Sequence, residues 1–427
     1  MRNIGGEQAM ARKRIVIVGM GFGGLSAAKK LAGSNFDCVL VDRHNYHLFQ
    51  PLLYQVASAG LEQESIAYPV RALARQWRNT RFRLGEVTGV DYDRKVLLLE
   101  DGEEPYDYLV LAAGSRTNFF GIPGVEQYAF DLKKLSHAEG LRNHILLLFE
   151  EASRETDPLR RKALLTFVIV GGGPTGVEFA GALQELSQHV LSLDYPEIAP
   201  NETRIVLVEA AGSLLTAMPP ELSAYACEKL RGMGVEVFLE RRVIGAEPES
   251  VRFHDGTTIN THTLFWSAGV AAASLADQLG VAQSTAGRIV VSPDLSLAKH
   301  PEVFIVGDMA CLTQGSGPLP MMAPVASQQG RHVAGVIVAR EAGRRPEPFH
   351  YVDKGSMATI GRNSAVAVTH GFELSGYLAW LAWLVLHLYY LIGFRNRLLV
   401  LTNWALYYFF HERQVRLITA ERHRGKQ

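Results

Sequence analysis

The chain has 427 residues, 48% hydrophobic and 20% charged, which is long enough for two or three domains with real cores and excludes wholesale disorder. Its 43 basic and 43 acidic residues cancel, which argues against a nucleic-acid binder working through strong overall positive charge. Cys38, Cys227 and Cys311 form no CxxC or CxxxxC pair, so no redox dithiol, zinc ribbon or disulfide framework is readable, and a reducing compartment fits.

The opening MRNIGGEQAMARKR lacks the apolar region of a secretory signal and reads as a loose leader, with Met1 and Met10 both open as the start. The first ordered segment is RIVIVGMGFGGLSAAKKLAG, Arg14 to Gly33, an apolar strand that breaks at Gly19 into a small-residue helical pattern. Gly19, Gly21 and Gly24 satisfy GxGxxG in the strand–turn–helix context the motif needs. They serve a tight turn, close approach of a pyrophosphate, and close helix–strand packing. The helix N-terminus then offers unpaired N–H groups and a positive dipole end to phosphate. A second apolar run, CVLVD, ends in Asp42, where an acid accepts ribose hydroxyl hydrogen bonds. YDYLVLAAGS, Tyr106 to Ser115, is a further strand ending in small residues, Ala113 and Gly114 among them.

The pattern then recurs. FVIVGGGPTGVEFAGAL, Phe167 to Leu183, carries glycines at Gly171, Gly173 and Gly176, and RIVLVE ends in Glu209 after the polar insertion HVLSLDYPEIAPNE. An acid there favours NADH, because it repels the extra phosphate of NADPH. TLFWSAGV, Thr263 to Val270, is the counterpart of YDYLVLAAGS, and HPEVFIVGDMA, with Gly307 and Asp308, returns to complete the first unit. The predicted order is nucleotide domain, inserted nucleotide domain, return. MMAPVASQQGRHVAGVIVAR follows, with Pro324 suited to the first turn of a helix. The fourteen histidines show no HxxxH or HExxH spacing with carboxylates, so no metal site is expected.

The tail is the most apolar and aromatic stretch. Tyr377 to Ile392 is broken only by His387; Gly393, Arg395, Asn396 and Arg397 interrupt it, and Leu398 to Phe410 forms a second run. At about 1.5 Å per residue either helix falls short of a hydrocarbon core of about 30 Å. Trp380, Trp383 and Trp404 lie here with several tyrosines, which suits the headgroup level of a bilayer. Two helices lying in one leaflet are expected; a homodimer interface, core packing and a true span are the other readings.

The three motifs in this order resemble the two-dinucleotide-binding-domain flavoprotein reductases over Arg14 to Ala342. The stretches NYHLFQPLLYQVASAGL, GGGPTGVEFAGAL, MMAPVASQQGR, KGSMATIGRNSAVA and LIGFRNRLLVLTNWALYY are more closely similar to the type II NADH dehydrogenases, single-subunit NADH:quinone oxidoreductases that do not pump protons. The resemblance implies an α/β fold of two Rossmann-like, glutathione-reductase-like domains plus a C-terminal membrane-docking helical segment. The expected boundaries are 12–125 with 295–345 for FAD, 126–294 for NAD(H), and 346–427 for the membrane-associating region. It implies bound FAD, with Asp308 on its ribityl and pyrophosphate and with Gln50 and Pro51 beside its ring. NADH is the implied substrate and a membrane quinone, ubiquinone or menaquinone, the acceptor. Glu178 is placed at the nicotinamide side. A quinone site is implied at Ala323, Pro324, Ala326 and Gln328 or Gln329, with Lys354 a further candidate; Pro324 stands where the family has its first glutamine, which either changes the preferred quinone or leaves Gln328 to act alone. The expected location is the cytoplasmic face of the inner membrane. An NADH-dependent reductase of a protein acceptor and an NADH-sensing flavoprotein with little turnover are the alternatives.

Overall fold

The computed structural model describes residues 12–315, 317–410, 413 and 415–419. The choice between Met1 and Met10 therefore lies outside the described residues. The chain divides into two compact units: residues 1–47, 69–116 and 270–353, and residues 48–68, 117–269 and 354–427.

The first unit opens with β1 (Arg14–Val18), α1 (Phe22–Leu31) and β2 (Asp37–Asp42). An excursion into the second unit holds α2 (Leu53–Ala57), after which the first unit adds β3 (Thr80–Leu84) and β4 (Tyr108–Leu111). The second unit continues with β5 (Ala129–Phe130), α3 (Leu135–Ala152), β6 (Thr166–Val170), α4 (Pro174–Leu186), β7 (Arg204–Val208), β8 (Glu236–Phe238) and β9 (Thr263–Trp266). The chain returns to the first unit for β10 (Val303–Ile305) and α5 (Ala323–Glu341), whose first turn holds Pro324. It ends in the second unit with the hairpin strands β11 (Ser356–Gly361), β12 (Ser364–Thr369) and β13 (Phe372–Ser375), then α6 (Gly376–Tyr390) and α7 (Phe394–Phe410).

Each unit has a parallel five-stranded sheet, ordered β10-β4-β1-β2-β3 in the first and β5-β9-β6-β7-β8 in the second. The central strands RIVIV and TFVIV are buried almost throughout, as strands covered on both faces must be. In both sheets the glycine-rich turn leaves the middle strand, which places each nucleotide motif where the strand order reverses.

In the tail the break is narrower than the residue pattern suggested. It runs from Leu391 to Gly393, between α6 and α7; Gly393 takes φ +89°, and a Cβ there would sit 2.6 Å from the Tyr68 ring. Arg395, Asn396 and Arg397 belong to the first turn of α7. Arg397 folds back, donating from Nε to Leu391 O (2.8 Å) and from Nη2 to Tyr389 O (2.9 Å), so a cation covers the negative end of α6. Asn396 Nδ2 donates to Ala67 O at 2.9 Å and anchors α7. Trp383 faces inward at 1% exposure, whereas Leu378, Val385, Tyr389, Phe394, Phe409 and Phe410 are exposed. Among the described residues no helix is long and apolar enough to cross a membrane.

Candidate active site

The first unit's nucleotide turn is built by three glycines with separate tasks. Gly19 adopts φ +89°, and a Cβ there would lie 2.3 Å from Ala112 O. A Cβ on Gly24 would lie 1.9 Å from Gly19 O, so only glycine lets α1 rise this close to β1. A Cβ on Gly21 meets nothing within 4 Å: the backbone there borders open space at a helix N-terminus, which suits a pyrophosphate. Asp42 accepts from Met20 N (2.6 Å) and His44 N (2.8 Å), and burial nevertheless pushes its carboxyl up. On the neighbouring strands Ala113 N donates to Met309 Sδ at 3.2 Å, and Gly114 takes φ +75°. Ser115 Oγ donates to Asp308 Oδ2 at 2.6 Å, and Gly307 takes φ +72°. These features fit FAD.

The second unit repeats the arrangement. Gly171 adopts φ +110°, a Cβ on Gly176 would lie 1.9 Å from Gly171 O, and Gly173 again borders open space. Glu209 holds the turn with both oxygens, accepting from Gly172 N (2.5 Å) and Ala211 N (2.7 Å). That anchoring fixes a negative charge at the end of β7, where a ribose would lie.

A cavity of about 320 Å³ opens in the second unit, walled by α2, α4, β11, α6 and α7. Its lining is mostly apolar and aromatic, with Glu178, Glu185 and Arg413 as the charged members besides Arg362. Glu178 projects from the second turn of α4 and accepts from Thr359 N at 3.3 Å. Burial pushes its carboxyl up to about 8, against the opposing pull of the Thr359 amide and the Trp383 indole. The Trp383 N–H favours the charged carboxylate without reaching the geometry of a full hydrogen bond. At pH 7 Glu178 therefore carries a proton. Two turns along α4, Glu185 accepts from Arg362 N (2.5 Å), Tyr407 Oη (2.8 Å) and Arg413 Nη2 (3.4 Å). Arg413, 5% exposed, also donates to Ser58 O (2.7 Å) and Ala182 O (3.1 Å) and lies over the Tyr407 ring. His387 stacks on Trp383 at 3.9 Å, and burial pushes it down to about 4, so it is neutral at pH 7.

The other expected site residues are placed elsewhere. Gln50 is exposed and donates to Lys133 O at 3.3 Å, and Pro51 sits in a short 3-10 turn, Gln50–Leu52. Ala323 and Pro324 start α5; Ala326 is buried, 3.2 Å from where a Cβ on Gly307 would fall. Gln328 is engaged with the Val352 backbone, donating at 2.8 Å and accepting at 3.1 Å. Gln329 is fully buried, and its Oε1 accepts from Gly307 N at 2.7 Å, which fixes the turn that presents Asp308. Lys354 is exposed ahead of β11, its carbonyl accepting from Thr369 Oγ1 at 3.2 Å. The cavity's tyrosines, Glu185 and Arg413 were missed. Tyr54 comes from α2, Glu185 from α4, Tyr407 and Tyr408 from α7 and Arg413 from the segment after it, so no local pattern joins them.

Residues 13–330 match the family model described as pyridine nucleotide-disulphide oxidoreductase, and residues 354–413 match the NDH2 C-terminal domain. A type II NADH:quinone oxidoreductase of Mycobacterium tuberculosis is 43% identical over 93% of this chain and 89% of its own length. The chain belongs to the type II NADH:quinone oxidoreductases. A second oxidoreductase of this type, from Staphylococcus haemolyticus, is 30% identical over 86% of the chain and 92% of its own length. The structure of NDH2 from Plasmodium falciparum in complex with NADH superposes with a TM-score of 0.88, covering 96% of this chain and 100% of that one. At 20% identity that likeness speaks for the shared fold. Cys38, Cys227 and Cys311 are all free thiols. Burial pushes the Cys38 thiol up to about 12, which makes it inert.

Proposed function

We propose that the enzyme oxidises NADH and reduces a membrane quinone through bound FAD, without pumping protons, and that the cavity around Glu178 receives the quinone. When bound, FAD accepts hydride from the nicotinamide and passes electrons on. Gly19, Gly21, Gly24, Asp42 and Asp308 hold it, with Gln329 fixing the Gly307–Asp308 turn. Gly171, Gly173, Gly176 and Glu209 bind NADH. Quinone reduction takes up protons as well as electrons, and Glu178 holds one at its carboxyl inside the cavity. A buried carboxyl facing a cavity of mostly apolar and aromatic side chains is the observation that carries the reading: the cavity shelters a quinone ring, and the acid can supply a proton.

The exposed apolar faces of α6 and α7 are read as lipid-facing rather than as a homodimer interface, because their aromatics and Arg395 form the mixed belt that headgroups favour. The cytoplasmic face of the inner membrane is the location that gives access to NADH.

Anaerobic stopped-flow on FAD-loaded protein tests the function. NADH should bleach the flavin, and short-chain ubiquinone or menaquinone analogues should restore its colour quickly. Bleaching without recovery under both quinones would favour a protein acceptor. Glu209→Ala should raise kcat/KM for NADPH relative to NADH by roughly tenfold, since a fixed carboxylate no longer repels the 2′-phosphate. An unchanged ratio would remove Glu209 from that role.

A further inference from the structure

Tyr54, Gln55 and Trp404 form a chain of hydrogen bonds whose direction is set by donor chemistry. Trp404 Nε1 donates to Gln55 Oε1 at 2.8 Å, and an indole N–H can only donate. The amide must therefore turn its oxygen to α7 and its nitrogen away. Gln55 Nε2 donates to Tyr54 Oη at 2.9 Å. The phenol thus accepts from the protein, and its own hydrogen is left over.

No acceptor for that hydrogen exists among the described residues, and no hydrogen bond joins Tyr54 to Glu178. The side chain is 4% exposed, lines the same cavity as Glu178, and has its ring set against Trp383 at 6.5 Å in edge-on geometry. Burial holds the phenol well above its ordinary range, so it stays a donor across the working pH. A buried donor with no acceptor is destabilising. Three residues aligned so that the leftover hydrogen belongs to a cavity-lining phenol point to an occupant that accepts it.

We propose that Tyr54 donates a hydrogen bond to a carbonyl oxygen of the quinone in this cavity, and that Trp404 of the aromatic tail sets the direction of that donor through Gln55. The inference rests on the cavity being the quinone site. It makes Tyr54 a catalytic contact and Gln55 and Trp404 positioning residues. The hydrogen bond strengthens as negative charge gathers on the carbonyl oxygen, so it favours reduction as well as binding.

The test uses full-length, FAD-loaded wild type, Tyr54→Phe, Trp404→Phe and the double variant, with short-chain ubiquinone and menaquinone analogues as probes. Tyr54→Phe removes one oxygen. It should slow quinone-dependent flavin reoxidation, or raise the quinone KM, by about tenfold, with NADH-dependent bleaching in the same sample as the reference. Trp404→Phe should cost about threefold in that step, because the amide can then turn over. The double variant should match Tyr54→Phe alone, since Trp404 acts only through Tyr54. Wild-type behaviour of Tyr54→Phe overturns the proposal, and losses that multiply overturn the chain. Should Tyr54→Phe fail to retain FAD, an unchanged quinone KM in Trp404→Phe overturns it by itself. A wild type that bleaches but is reoxidised by neither quinone overturns the functional reading instead.

Discussion

Glu178→Gln is expected to lower quinone-dependent turnover by roughly 10²-fold, the usual contribution of a positioned acid, with a much smaller effect on bleaching by NADH. Glutamine keeps the size and the acceptor for Thr359 N but has no proton to release. The pH profile carries the sharper signature. The folded carboxyl titrates at about 8 against an ordinary 4.5, so the folded state binds more protons between those values. Stability is then full below the lower value, falls as pH rises, and reaches its floor above the upper one; the whole span is about 5 kcal/mol. In Glu178→Gln that component disappears, and urea midpoints measured from pH 5 to pH 8.5 should fall less steeply than in wild type. Parallel curves would mean that the carboxyl is not held neutral by its surroundings.

Arg413→Met should destabilise the protein by about 3–5 kcal/mol, since it strips a buried carboxylate of its cation. The guanidinium joins Glu185 on α4 to the carbonyls of Ser58 and Ala182, and both charged side chains are nearly enclosed. Tyr407 Oη and Arg362 N would still serve Glu185, but neither brings positive charge. Denaturant unfolding followed by tryptophan fluorescence gives the measurement, three of the five tryptophans being in the tail. Adding Glu185→Gln to Arg413→Met should recover part of the loss, because the orphaned charge goes with it. A single variant within 1 kcal/mol of wild type would mean that water reaches the pair and screens it.

The nucleotide-binding architecture was legible because its physics is local. A glycine forced to positive φ, a second beside open space and a third under a helix all fall within six residues, and the acid that braces the turn ends the next strand of the sheet. The helix with Pro324 in its first turn was readable for the same reason. Gln329 was not: nothing in MMAPVASQQGR says which of two adjacent glutamines turns inward, and a helical step of about 100° decides it. The cavity was less legible still. Tyr54, Glu178, Thr359, Trp383, Trp404 and Arg413 are spread over some 360 positions and come together only when the second unit closes on itself. Within NYHLFQPLLYQVASAGL, Leu52, Leu53 and Val56 are buried as their apolar pattern suggests, and nothing in that pattern marks the phenol of Tyr54 among them.

Because Trp383, Trp404 and Tyr407 wall the cavity from helices whose other side is exposed and largely apolar, the tail cannot be treated as a detachable handle. Trimming it to obtain a better-behaved preparation, or packing it in a harsh detergent, would alter the very pocket an inhibitor screen sets out to probe. Compounds ranked on such material would be ranked against a different target.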